Sequence, residues 1–199
     1  MELESLRALY VDELKDLYSA ENQILKALPR MIKAASSREL QRALTQHERV
    51  TRTQVQRLDR IFKDLDESPR GKKCHGMEGL LEEGKELIAE KPEPHVLDAG
   101  LISKAQHVEH YEMAGYGTVR TWAQQLGLDR HAALLQQALD EEREADRALT
   151  QIAESSVNLQ AATEESSRER EVPLTPAKET TSRRRTSGAA RRGSTEATT

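Results

Sequence analysis

Cysteine is nearly absent from this chain of 199 residues, where Cys74 stands alone. One thiol excludes an internal disulfide framework and a zinc site built on several thiolates. Aromatic side chains are scarce too, at one Trp, one Phe and four Tyr. No apolar run approaches the roughly 18 residues that a membrane-spanning helix needs, so no membrane contact is expected. The opening residues Met1-Glu-Leu-Glu-Ser are acidic and amphipathic, unlike a signal peptide, which makes a cytoplasmic location the default. What is abundant is Leu, Ala, Glu, Arg and Gln. With few β-branched residues beside them, these favour helix throughout.

The net charge of −4 is unevenly spread. Residues 172–199 carry six basic and two acidic side chains, which leaves −8 on residues 1–171. That last stretch is rich in Ser, Thr and Arg and holds almost no large apolar side chain. It cannot bury enough surface to offset the entropy of ordering it. The expectation is an ordered domain over 1–160 and a disordered basic tail over 161–199. Two readings of the tail stay open. It is a solubilising extension, or its clustered arginines make a weak, non-specific, salt-sensitive nucleic-acid contact.

Apolar spacings of three and four residues mark four long helices, each with one buried face. The first is expected from about Glu2 to Ala34, on the line Leu6, Leu9/Tyr10, Leu14, Leu17/Tyr18, Ile24/Leu25, Leu28. Pro29 lies inside it and should kink or loosen its last turn. Ser36-Ser37 offers a cap for a second helix, from about Arg38 to Leu65. A third long helix follows Pro92 and Pro94 and reaches Leu126, where Gly127 stops it. The fourth runs from Asp129 to about Glu154. Gly115 and Gly117, inside the third, read as a close approach of another segment or as a kink.

Loop lengths supply the topology. About four residues join the first pair, and a similarly short link joins the last pair, so each pair is antiparallel. About 30 residues, Asp66 to His95, separate the pairs and hold a short helix around Glu78–Ala89. A helix of this length spans roughly 40 Å at about 1.5 Å per residue, and only a long crossover returns the chain along it. The fold class expected is all-α, a ferritin-like four-helix bundle with one long crossover.

Ionisable residues interrupt the apolar stripes near the middle of every long helix. Glu21 does so in the first and His47 with Thr51 in the second. Glu109 and Glu112 share a face of the third, as Glu142 and Asp146 do on the fourth. Each ionised carboxylate costs several kcal/mol to bury unpaired, and no Lys or Arg occupies a matching stripe position. Two divalent cations would neutralise the cluster. Carboxylate oxygen with a little imidazole suits iron, with manganese the alternative. A Glu-x-x-His pair, usual in bundle di-iron sites, is missing from the second helix. Glu48 therefore competes with His47 as its contributor. His110, about 100° round the helix from Glu109, reads as a surface or supporting group.

Several segments together resemble the YciE/YciF family of ferritin-like proteins, over about residues 3–155. They are Leu17-Tyr-Ser-Ala-Glu-Asn-Gln-Ile-Leu-Lys-Ala-Leu-Pro29, His47-x-x-x-Thr51-x-x-Gln54-x-x-Arg57-Leu58, Asp98-Ala-Gly-Leu-Ile102, Val108-Glu-His-Tyr-Glu-Met-Ala-Gly-Tyr-Gly117 and Leu139-Asp-Glu-Glu142-x-x-x-Asp146. The resemblance implies a bacterial stress-response protein, a homodimer, and metal ligation by Glu21, His47, Glu109, Glu112, Glu142 and Asp146. Val50 departs from the acidic residue expected there. Cys74 sits where the family often has Cys, and reads as a loop thiol under the crossover. The function expected is a di-metal protein that reduces oxygen or peroxide or oxidises ferrous iron. Two alternatives stand beside it: a non-enzymatic helical scaffold, and a protector tethered to DNA by the tail.

Overall fold

Serine hydroxyls open two of the long helices in this computed structural model, which describes residues 4–163. Ser5 Oγ accepts from the Ala8 N–H at 3.1 Å and starts α1 (Leu6–Ala34). Ser37 Oγ accepts from the Leu40 N–H at 3.3 Å and starts α2 (Arg38–Leu65). Each hydroxyl satisfies one of the amide donors that a helix N-terminus leaves open. The first helix thus begins later than the expected Glu2, and it runs unbroken through Pro29. The crossover carries α3 (His75–Glu90), followed by α4 (Pro94–Gln125) and α5 (Asp129–Ile152). Gly127, at φ +69°, turns the chain between the last two. Beyond Ile152 the chain continues as a π-helical turn, Ala153–Val157. Helix then resumes over 158–163, so the first three residues of the expected tail are helical, and the rest of it lies outside the described residues.

Each long helix packs on two others, α1 and α5 both lying against α2 and α4, while α3 lies across α1 and α4. Neighbours are antiparallel, and the diagonal pairs α1/α5 and α2/α4 are parallel. The expected all-α bundle with a helical crossover is what the chain forms. Its apolar interior is split into two. One cluster, with Ile24, Leu28, Leu40, Leu44, Leu101 and Leu149, fills one end. The other, with Tyr10, Leu14, Leu58, Phe62, Val119 and Leu135, fills the opposite end. Between them lies a buried polar layer.

Asp98 of α4 latches the α1–α2 turn. Its Oδ1 accepts from the Ser36 N–H at 2.8 Å, and its Oδ2 from the Ser37 N–H at 2.8 Å. The short link between the first two helices is therefore fixed from the far side of the crossover. Cys74 is the buried loop thiol expected, and it has a further role. It is the N-cap of α3, with Sγ accepting from the Met77 N–H at 3.3 Å. The crossover helix consequently starts at His75 rather than at Glu78. Of Gly115 and Gly117, only Gly115 marks a close approach. A Cβ there would fall 2.7 Å from Leu17 Cδ2, whereas one on Gly117 would meet nothing within 4 Å.

Candidate metal centre

Helical spacing carries four carboxyls and one imidazole into the polar layer. Glu21 comes from α1, His47 from α2, Glu109 and Glu112 from α4, and Glu142 from α5, all buried. His47, Glu109, Glu112 and Glu142 each present a ligand atom, and these four atoms lie within 4.8 Å of one another. His47 Nε2 stands 3.5 Å from Glu109 Oε1, and Nδ1 stands 4.0 Å from Glu142 Oε2. A buried group of this kind could hold a metal ion.

The electrostatics follow from burial. Desolvation pushes the Glu21 carboxyl well above the usual carboxylate range, and the charge of Glu142 pushes the same way. Glu112 is raised by burial and then by Glu21, Glu142 and Glu109. Glu109 is raised by burial and by Glu142. Glu142 is raised to about 7 by burial, against which the Gln54 amide pulls it down. His47 is pushed down to about 4 by burial, which leaves a neutral imidazole with a free lone pair.

Hydrogen bonds do not quench this layer. Glu21 Oε2, Glu109 Oε2, both Glu112 oxygens and Glu142 Oε2 are buried without a hydrogen-bond partner. So are both ring nitrogens of His47. Unpaired buried polar atoms are rare in folded proteins, because each carries an uncompensated desolvation penalty. Their concentration at one level of the bundle is what a group that could hold a metal ion would show.

The remaining candidates fall outside this group. Asp146 is only half-buried, where Oδ1 accepts from Gln106 Nε2 at 3.0 Å and lies 3.4 Å from His110 Nε2. His110 is a surface group, its side chain 67% exposed. Glu48 pairs with Arg52 at 2.5 Å on the outer face of α2, whereas His47 lies in the buried group.

Two participants hid in the sequence. Tyr116 donates its hydroxyl to Glu21 Oε1. Gln54, seven residues beyond His47 and so on its face, donates to Glu142 Oε1 and, at 3.2 Å, to Glu141 Oε2. Arg57 grips both oxygens of Glu141 at 2.5 and 2.6 Å, which keeps this cation outside the cluster. Helical arithmetic from His47 and Glu112 would have found Gln54 and Tyr116.

A family model described as Domain of unknown function (DUF892) matches residues 5–162. Protein YciF of Escherichia coli strain K12 is 39% identical over 162 residues, 81% of this chain and 98% of its own length. The crystal structure of the E. coli stress protein YciF matches with a TM-score of 0.75 at 39% identity, covering 78% of this chain and 98% of that one. YcfI from Rhodopseudomonas palustris matches with a TM-score of 0.73 at 42% identity, over 75% and 95% of the two chains. A Xanthomonas campestris protein at 20% identity and a TM-score of 0.65 shares the fold. The resemblance read from the sequence is borne out.

Proposed function

The chain belongs to the DUF892 family, and from that footing we propose that Glu21, His47, Glu109, Glu112 and Glu142 hold two metal ions. Iron is the first choice and manganese the second. One observation supports the reading above the others: five carboxylate oxygens and both His47 nitrogens are buried without partners at one level of the bundle. Cations satisfy such atoms and offset the burial that raises every carboxyl there. The donor set, oxygen with a single imidazole, fits iron or manganese, and Cys74 is bonded to Tyr111 rather than offered to the cluster. Asp146, with Gln106 and His110 as partners, stays outside the proposed ligands.

These residues would hold the ions, and iron bound there would supply one-electron chemistry, its ferrous form giving electrons to oxygen or peroxide. The residues of this chain contribute the rest. His47 stays neutral and available as a donor, Gln54 orients Glu142, and Tyr116 orients Glu21. The apolar clusters at both ends seal the layer along the bundle axis. A role in stress protection agrees with the relative described as a stress protein.

Metal content after expression with added iron tests the reading, for wild type and for the Glu21→Ala/Glu112→Ala double variant. About two equivalents per chain are expected in wild type, and a clear loss in the variant. Fewer than about one equivalent in wild type, or no loss in the variant, overturns it and favours a helical scaffold.

A further inference from the structure

Two cavities approach the buried carboxylates from opposite sides, and they differ in volume. Between α2 and α5 lies a cavity of about 210 Å³. Exposed Gln46 and Glu144 line it, and so do buried His47 and Glu109, so it joins the surface to the polar layer. On the side of α1 and α4, the space beside His47 and Glu109 shrinks to about 10 Å³ among Ile24, Leu28 and Val108. That is at most the room of a single water molecule. An ion with six waters takes about 180 Å³, at roughly 30 Å³ per water. It fits the first space and not the second.

Charge selects the occupant further. The ionisable groups lining the larger cavity are Glu109, Glu141, Glu144 and His47, with no Lys or Arg among them. Glu141 is paired with Arg57 and burial raises Glu109, so the outer charge is that of Glu144, whose field low-dielectric walls, here Ala43, Leu44, Ala148 and Leu149, focus along the passage. A cation is drawn in and an anion repelled. At the inner end, His47 is 7% exposed with both ring nitrogens free of partners, and Glu109 Oε2 is free as well. These are the first donors that an arriving ion would meet.

We propose that the α2–α5 cavity is the port through which a hydrated divalent cation reaches the buried carboxylates. Glu144 meets the ion at the surface, and His47 receives it as its water is shed. The inference rests on the metal-binding reading above, and it adds a direction of approach and a requirement for the free aquo ion.

Cobalt(II) chloride is the probe, its visible absorbance changing as water is replaced by protein ligands in stopped-flow mixing. Ala43→Leu and Ala148→Leu narrow the passage without touching a proposed ligand. Glu144→Gln removes the outer charge and, being exposed, leaves folding undisturbed. Loading should slow by about tenfold or more in the narrowed variants, and for Glu144→Gln by a factor that shrinks as salt rises. The final amount of cobalt bound should match wild type. Wild-type loading rates in Glu144→Gln and in folded narrowed variants, with normal final uptake, overturn the port and leave the metal site standing. No cobalt uptake by wild type overturns the metal reading, and the port with it.

Discussion

Tyr116 of α4 donates its hydroxyl to Glu21 of α1, with both side chains sealed from solvent. The bond ties two helices together in the polar layer, and it is the hydrogen bond that Glu21 has there, since Oε2 lacks a partner. It also works against burial by pulling the Glu21 carboxyl down. Tyr116→Phe keeps the ring and deletes the donor. In metal-free protein this should cost about 1–3 kcal/mol, the usual penalty for stranding a buried acceptor. Urea unfolding at pH 7 with chelator present measures it, and an unchanged midpoint would contradict the role given to the hydroxyl.

The same burial makes metal-free protein sensitive to base. Glu142 titrates near 7 in the fold against 4.5 for a free carboxyl, and Glu21, Glu109 and Glu112 are also raised. Between those values the folded state binds more protons than the unfolded one, so stability falls as pH rises. His47 opposes this. Its folded value of about 4 lies below the free 6.5, so its contribution is lost as pH falls through that window. Four carboxyls outweigh one imidazole. Thermal unfolding with chelator should therefore show a higher midpoint at pH 5.5 than at pH 8. A midpoint that climbs steadily to pH 8 would refute the assignment of these groups as buried and unpaired.

Two glycines two residues apart, on opposite sides of α4, should respond oppositely to alanine. At Gly115 the added methyl would sit 2.7 Å from Leu17 Cδ2 and 3.3 Å from its Cγ, and Leu17 is itself wholly buried. Overpacking of this kind costs about 1–3 kcal/mol, more than the roughly 1 kcal/mol gained in helix propensity. Gly117→Ala meets open space and should keep the gain. Denaturant midpoints for the two variants should fall on either side of wild type.

The contrast shows what the sequence could and could not carry. Apolar spacing made the four long helices legible, because each buries one continuous face. The inward acids were legible for the same reason, as breaks in that face at Glu21, Glu109, Glu112 and Glu142. Asp146 shares a face with Glu142 but lies one turn further on, where Gln106 and His110 intercept it. Partners from another helix decide that outcome, and single-helix geometry does not contain them. Cys74 was unreadable as a cap because Ser, Thr, Asp and Asn dominate that position. The role of Asp98 was hidden for the reason that hid the fate of Asp146. Its partners Ser36 and Ser37 are about 60 residues away in the chain.

That latch is itself testable. Asp98 is fully buried and accepts from two backbone amides and from the Ser36 hydroxyl. Asp98→Ala strands those donors beside an empty space and should destabilise by about 3 kcal/mol or more. Asp98→Asn keeps one carbonyl acceptor and should lose less. Equal losses in urea unfolding would show that volume, rather than the paired acceptors, matters at this position.

Glu112 gives the sharpest separation between a metal centre and a scaffold. Both its oxygens are buried without partners, and three other carboxyls raise it further. Without metal, Glu112→Gln removes a buried charge and supplies an amide that can donate to those neighbours. The variant should then be the more stable protein at pH 8. With metal present the order should reverse, because wild type gains stability from an ion that binds only the folded state, and the variant gains less. For a chain of this size each 1 kcal/mol moves the melting temperature by about 2–4 °C, so calorimetry with chelator and with manganese(II) resolves both differences. A scaffold whose acids serve no ion would show the first difference and no reversal. Selection for stability alone gives no reason to keep Glu112, whereas selection for an ion does.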